Sequence, residues 1–220
     1  RARRLYLLDS GRGLEELRSA AGNLPISQCR REDLDKRANG VAHQGVILEA
    51  DEIAVLGESE WPGARFPERP LVLLLDGVQD PQNFGSIIRS GMAFGVDAFV
   101  YPKDRAAPLT PAAVKAAAGA AQHATFVRVT ILSRTMESLK ERGIWIGGLD
   151  PSGGEAPWAC DFRGPTALVI GGEGKGMRPL VRKHCDYTVT LPLSGAVESL
   201  NAGVAAAVVL GEVIRQRQDS

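Results

Sequence analysis

Residues Leu71–Val78 read "LVLLLDGV". An apolar run without polar alternation describes a strand covered on both faces, as in a parallel sheet flanked by helices. The residues downstream of it support that reading. "NFGSIIRSGMAFG" has helical spacing and a stop at Gly95, and "VDAFVYP" is a second strand. Further on come the helix "TPAAVKAAAGAAQ", the strand "ATFVRVT", the helix "RTMESLKERG", and the strands "IWIGGLD" and "TALVIGG". The helix-like "MRPLVRKHC" and the strand "YTVTLPL" come next, and a helix expected from Ser199 to Gln216 ends the pattern. Alternation on this scale predicts an α/β fold with a doubly wound parallel sheet, whose ligand crevice lies at the carboxyl ends of the strands. Function is therefore to be sought in the loops that come after strands.

Upstream of the run, residues 51–69 contain "GESEWPGARFPERP", Pro- and Gly-punctuated and aperiodic, the composition of a linker. Before it, "RLYLLD", "GLEELRSAAG", "PISQC", "REDLDKRA" and "QGVILEA" alternate strand and helix. The expected division is a small α/β unit over 1–50, a linker over 51–69 and the larger unit over 70–220. The chain enters its first strand almost at once, and the expectation is that residues preceding Arg1 are missing.

Composition excludes little. Of 220 residues 44% are hydrophobic and 24% charged, and Lys plus Arg equals Asp plus Glu at 26 each. Bulk charge neither demands nor forbids a nucleic-acid partner. Basic residues do cluster at Arg1, Arg3 and Arg4, at Arg30, Arg31, Lys36 and Arg37, and at Arg178, Arg182 and Lys183, although such charges are commonly solvated helix faces. Cys29, Cys160 and Cys185 have neither disulfide-framework nor zinc spacing, so no metal is expected. With no membrane-length apolar run and no signal-peptide pattern, the expectation is a cytoplasmic protein.

Three post-strand loops carry polar groups. In "DGVQDPQNFGSIIRSGMAFG", Asn83 is placed to cap a helix and Arg89 lies nearly two turns on. Alone, the one reads as a cap and the other as a surface charge. In "ALVIGGEGKGM" the glycines Gly171, Gly172, Gly174 and Gly176 surround Glu173, but neither phosphate-loop nor dinucleotide spacing is present. Bare backbone there admits a close ligand, and a carboxylate favours a cationic or polar one over a phosphate. In "LPLSGAVESLNAGVA", Glu198, Ser199 and Asn201 gather at a helix start where one capping residue would suffice.

Taken together and in this order, "DPQNFGSIIRSGMAFG", "VIGGEGKGM" and "LPLSGAVESLNAGVA" resemble the three signature motifs of the SpoU/TrmH class of SPOUT RNA ribose 2′-O-methyltransferases. The resemblance spans about residues 70–217. "AHQGVILEA" at 42–50 extends it toward the branch that methylates a guanosine ribose in large-subunit (23S) rRNA, whose small N-terminal domain is similar to ribosomal RNA-binding proteins. It implies a C-terminal deep trefoil knot that binds S-adenosyl-L-methionine, against the usual rule that chains do not knot. It also implies a homodimer, an RNA substrate, and backbone contacts to the adenosine part of the cofactor at Gly171, Leu191 and Leu200. Arg89 would lie at the reaction centre with Asn83, Glu173, Ser199 and Asn201 around it. Because guanidinium stays protonated, Arg89 is expected to clamp phosphate and organise charge rather than act as base. Glu173 would orient it or take the proton, and Asn201 and Ser199 would fix the ribose and the cofactor end.

Departures from the family pattern are small-for-small: Ala202 and Gly203 stand where many relatives have Val and Ser, and "VKAAAGA" has Ala where Ser is common. The alternatives are a tRNA ribose methyltransferase and a catalytically silent knotted assembly factor. Retention of all five polar residues disfavours the second. A nucleotide-binding protein of another kind is disfavoured by the failed phosphate-loop spacing.

Overall fold

The computed structural model describes residues 2–11, 13–61, 66–104, 109–174, 176–195 and 197–218. Arg1 of the first basic cluster, residues 62–65 of the expected linker, and Lys175 and Ala196 within the second and third motifs lie outside them. The chain divides into two units, Arg1–Ile53 and Ala54–Ser220.

In the first unit, β1 (Ala2–Leu8), α1 (Leu14–Ala20), β2 (Ile26–Cys29), α2 (Arg31–Ala38) and β3 (Val46–Ala50) follow the expected alternation. β1 is central, parallel to β2 and antiparallel to β3. Leu5, Leu7 and Leu14 form its core. Tyr6 donates its hydroxyl to Glu49 at 2.7 Å, and the Arg37 guanidinium lies 4.1 Å from the centre of its ring.

The second unit starts inside the stretch read as a linker. Val55–Gly57 form a strand, β4, parallel to β7 (Phe126–Val129) at the edge of the larger sheet, and Trp61 is buried in that unit's core. Two features hid this. Three residues are too few to show a period, and Trp61 acquires its environment only from distant neighbours, among them Phe66 with ring centres 5.0 Å apart.

The larger sheet has seven strands in the order β10-β8-β9-β5-β6-β7-β4, every neighbouring pair parallel. Here β5 is Leu71–Asp76, β6 Ala98–Pro102, β8 Trp145–Leu149, β9 Thr166–Gly171 and β10 Tyr187–Val189. All six residues of β5 are buried, as an unalternating apolar run requires of a strand between two helical layers. The helices are α3 (Pro81–Ala93), α4 (Pro111–Ala116), α5 (Leu132–Glu141), α6 (Pro179–Lys183) and α7 (Ala202–Gln218). The expected helix after Thr110 is shorter than its alanines suggest, because Ala118 and Gly119 adopt positive φ and only a 3₁₀ turn over Ala120–Gln122 comes after them.

From β5 the chain builds outward through β6 to β7, then crosses to place β8 and β9 on the other side of β5. The order reverses between β5 and β9, whose last residues Asp76 and Gly171 are paired. That reversal is where a parallel sheet opens a crevice.

Helix α7 begins three residues later than expected, at Ala202 instead of Ser199. Its seventeen residues span about 25 Å at 1.5 Å per residue. At the far end Arg217 donates to the carbonyls of Phe162, Arg69, Pro70 and Gly164 at 2.8–3.1 Å. Gln216 donates to the carbonyl of Cys160 and accepts from the amide of Phe162. So anchored, the helix holds its N-terminus at the carboxyl end of the sheet.

Candidate active site

The crevice is built from three segments. The first is the β5–α3 turn. Asp80, not Asn83, caps α3: its carboxylate accepts from the Asn83 amide at 3.0 Å, with Pro81 at the first helical position. The expected cap is thus displaced by three residues, and the Asn83 side chain, 7% exposed, is released for another task.

The second segment is the glycine-rich turn after β9. Sequence alone suggested that its glycines bare the backbone for a ligand. In the structure two of them answer to the protein itself: a Cβ on Gly171 would fall 2.4 Å from the carbonyl carbon of Gly176, and one on Gly172 would fall 2.1 Å from the carbonyl oxygen of Gly77. The turn folds back through a Gly172–Gly176 bridge and is pinned to β5 by Asp76. The Asp76 main-chain oxygen accepts from Gly172, and its fully buried carboxylate accepts from the Arg178 amide at 2.7 Å and the Arg178 Nε at 2.6 Å. This pairing was not foreseen. Its only trace in the sequence is an acid closing an apolar run.

The third segment leads into α7. Asn201 caps the helix, its Oδ1 accepting from the amides of Gly203 at 2.9 Å and Val204 at 3.3 Å. That fixes which way the amide points. Nδ2 then donates to Asn83 Oδ1 at 2.7 Å and to Glu173 Oε1 at 2.8 Å. One side chain thus joins all three segments, and with Asn83 Oδ1 occupied as acceptor, Asn83 Nδ2 is left as a donor.

Two cavities meet on this triad. One, of about 410 Å³, is lined by Gly171–Gly174, Leu191, Leu193, Ser199, Leu200 and Asn201, with Asp150 and Pro151 at one side. The other, of about 210 Å³, is lined by Gly77–Asp80, Asn83, Glu173 and Ala202. Glu173 and Ala202 belong to both. Asp150, absent from the expected set, is held by the Ser152 amide and hydroxyl and by Arg182 Nε at 3.0 Å. Main chain, aliphatic wall and a few polar groups in a cleft of this size suit a nucleoside. Among the described residues no group of three or more His, Cys, Asp or Glu is placed to hold a metal ion.

Of the expected site residues, Asn83, Glu173 and Asn201 are in direct contact, and Gly171, Leu191, Leu200 and Ser199 line the larger cavity. Ser199 is exposed and makes no hydrogen bond among the described residues. Arg89 is not gathered with them. It is exposed, lines neither cavity, has no polar partner among the described residues and sits roughly 120° around α3 from Asn83. The expected contact between Glu173 and Arg89 is absent, and Glu173 is engaged by Asn201 instead.

A doubly wound parallel sheet with a nucleoside-sized cleft at its switch point, opening onto a second polar cavity, has the form of a ligand-binding site with room for a second group beside the first. The chain belongs to the SpoU rRNA Methylase family, whose profile matches residues 70–211. It is 46% identical over 201 residues to the 23S rRNA (guanosine-2′-O-)-methyltransferase RlmB of Pseudomonas aeruginosa, covering 90% of this chain and 81% of that protein. To the protein of the same name from Pseudomonas putida it is 44% identical over 202 residues, 91% of this chain and 81% of the relative. Among solved structures, the SpoU methyltransferase AviRb from Streptomyces viridochromogenes, in complex with AdoMet, superposes with a TM-score of 0.77 at 28% identity over all of this chain and 84% of that one. The expected family is thus borne out, and with it an S-adenosylmethionine-dependent RNA methyltransferase.

Proposed function

We propose that the chain transfers a methyl group from S-adenosyl-L-methionine to the ribose 2′-hydroxyl of a guanosine in 23S rRNA, acting in the cytoplasm. The observation that carries this reading is the seam between the two cavities, where Glu173, Asn201 and Asn83 form one hydrogen-bonded group. The larger cleft takes the cofactor: the main chain at Gly171, Leu191 and Leu200 faces the adenosine, and Leu193 and Ala205 add apolar wall. Bound there, the cofactor supplies a methyl carbon made electrophilic by a sulfonium. The smaller cavity takes the ribose. Asn83 Nδ2 is free to hold a ribose oxygen, and Glu173 Oε2, unlike the engaged Oε1, is available to accept the hydroxyl proton. Asn201 orients both, and Ser199 lies beside the cofactor end. Arg89 binds an RNA phosphate and organises charge around the acceptor.

The unit Arg1–Ile53 serves RNA docking in this reading, with exposed Arg30 and Arg31 at the start of α2 as phosphate contacts. The passage from β10 at one edge of the sheet back to α7 at Asn83 supports a trefoil-knotted C-terminal segment. Among the described residues no helix is long and apolar enough to cross a membrane.

Cofactor binding tests the cleft. S-adenosylmethionine and S-adenosylhomocysteine should bind the isolated protein by calorimetry, and ATP and NAD should not, since the turn lacks a phosphate cradle; tight ATP binding without S-adenosylmethionine binding would sink the assignment. For the substrate, 2′-O-methyl sites mapped in total RNA from a strain lacking the protein should show one 23S guanosine unmodified.

The same reading includes a homodimer. Val204 and Val208, about half exposed and four apart, put apolar side chains on one face of α7, and Val197 and Leu200 shortly before the helix are exposed as well. Light scattering should report a dimer at micromolar concentration. A monomer with full activity rejects it.

A further inference from the structure

This inference rests on the proposed function and concerns how the site tells cofactor from spent product. Transfer requires the donor carbon and the acceptor oxygen to come into contact, and the two cavities meet at Glu173 and Ala202. The sulfur that carries the methyl group therefore lies close to that seam. Ala202 contributes a methyl group and the first turn of a seventeen-residue helix, whose positive end disfavours a cation nearby. Glu173 contributes the only charged side chain that lines both cavities among the described residues. Its Oε1 is held at 2.8 Å by Asn201 Nδ2, and Asn201 is itself held by the Gly203 and Val204 amides, so the carboxylate is tied in place. The other acid of the cleft, Asp150, is already engaged by Arg182 and Ser152.

We infer that Glu173 is a specificity-determining residue that distinguishes S-adenosylmethionine from S-adenosylhomocysteine by charge, offsetting the positive end of α7 to hold the sulfonium and letting the neutral thioether go. The charge change follows from the chemistry. As the carbon–sulfur bond breaks its electron pair stays on sulfur, the carbon–oxygen bond forms, and the positive charge leaves as the hydroxyl proton. Before transfer the Glu173 carboxylate faces a cation. Afterwards the attraction that kept the nucleoside in the cleft is gone.

Calorimetry with wild type and Glu173→Gln tests this with three ligands: S-adenosylmethionine, S-adenosylhomocysteine, and the analogue bearing a protonated amine in place of the methylsulfonium. The substitution should weaken the two cations roughly ten-fold, the scale of one charge pair at a half-enclosed site, and leave S-adenosylhomocysteine within about two-fold. Equal weakening of all three, or none, overturns the role of Glu173 while leaving the cleft assignment intact. Failure of every ligand to bind wild type overturns that assignment itself. Glu173 is exposed and its replacement should leave the melting temperature unchanged. Should the variant fold poorly, the wild-type protein carries the same test: added KCl should narrow its preference for the cations, and a salt-independent ratio refutes the proposal.

Discussion

Arg89→Ala should slow methyl transfer by about ten-fold or more, the scale of losing one charge-assisted hydrogen bond to an RNA phosphate, while binding S-adenosylmethionine with near wild-type affinity. The separation of the two effects comes from where the side chain lies. Arg89 lines neither the cofactor cleft nor the smaller cavity and has no polar partner among the described residues, so its removal leaves both walls standing. The acceptor RNA is the partner it is free to take. Arg89→Lys should also be badly impaired, because lysine keeps the charge but loses the planar fork that grips phosphate. Neither variant should lose stability, since the helix positions that hold α3 in place, Phe84, Ile87, Ile88 and Gly91, are buried on its other side. Single-turnover methylation of 23S rRNA fragments, with cofactor affinity measured separately, decides the matter. Near wild-type transfer by both variants would make Arg89 a solvated helix charge.

The second large effect is on stability. Asp76→Ala should lower the melting temperature by roughly 6–12 °C and weaken cofactor binding with it. The Asp76 carboxylate is wholly buried and its two oxygens accept from the amide and Nε of Arg178. Breaking a buried pair costs about 3–5 kcal/mol, and because the Arg178 side chain is 41% exposed and can rehydrate, the lower end, about 3 kcal/mol, applies. In a unit of this size each kcal/mol moves the midpoint by about 2–4 °C. Cofactor affinity falls for a geometric reason: the pair ties the segment just after the turn that carries Glu173 to the end of β5, and without it that hold on the turn is lost. Thermal melts with and without S-adenosylmethionine read both effects. A midpoint within about 2 °C of wild type, with cofactor binding intact, would show that the Gly172–Gly176 bridge holds the turn alone.

Much of the architecture was legible because it is written in local periodicity. "LVLLLD" reads as a strand with both faces covered, and α3 and β6 are read from spacing and from the stop at Gly95. The three polar clusters were legible as loops after strands, and the family resemblance rested on their order. Periodicity is weaker at ends and in short pieces. β4 has three residues and passed for linker, and α7 was begun at Ser199 because Ser, Glu and Asn are all plausible near a helix start.

What periodicity could not reach is which group pairs with which. Asn83 and Asp80 both satisfy the rule for a capping residue, and the choice of Asp80 is forced only when Asn83 finds Asn201, 118 residues away. The glycines of the turn were legible as a demand for bare backbone, but the backbone they make room for is the protein's own: at Gly171 the returning turn at Gly176, and at Gly172 the Gly77 carbonyl, brought there by the pairing of β9 with β5. The family resemblance implied that Glu173 would orient Arg89 or take the proton. The sheet instead sets Glu173 against Asn201 and leaves Arg89 facing outward. Most of the elements, the strand–helix alternation behind the parallel sheet and the inventory of polar groups can be read from the chain, because these depend on residues a few positions apart. That β9 lies beside β5, that Asn201 ties three segments into one site and that Asp76 answers Arg178 emerge only in the folded chain, because each is a contact between distant residues whose energy exists only once the sheet has closed.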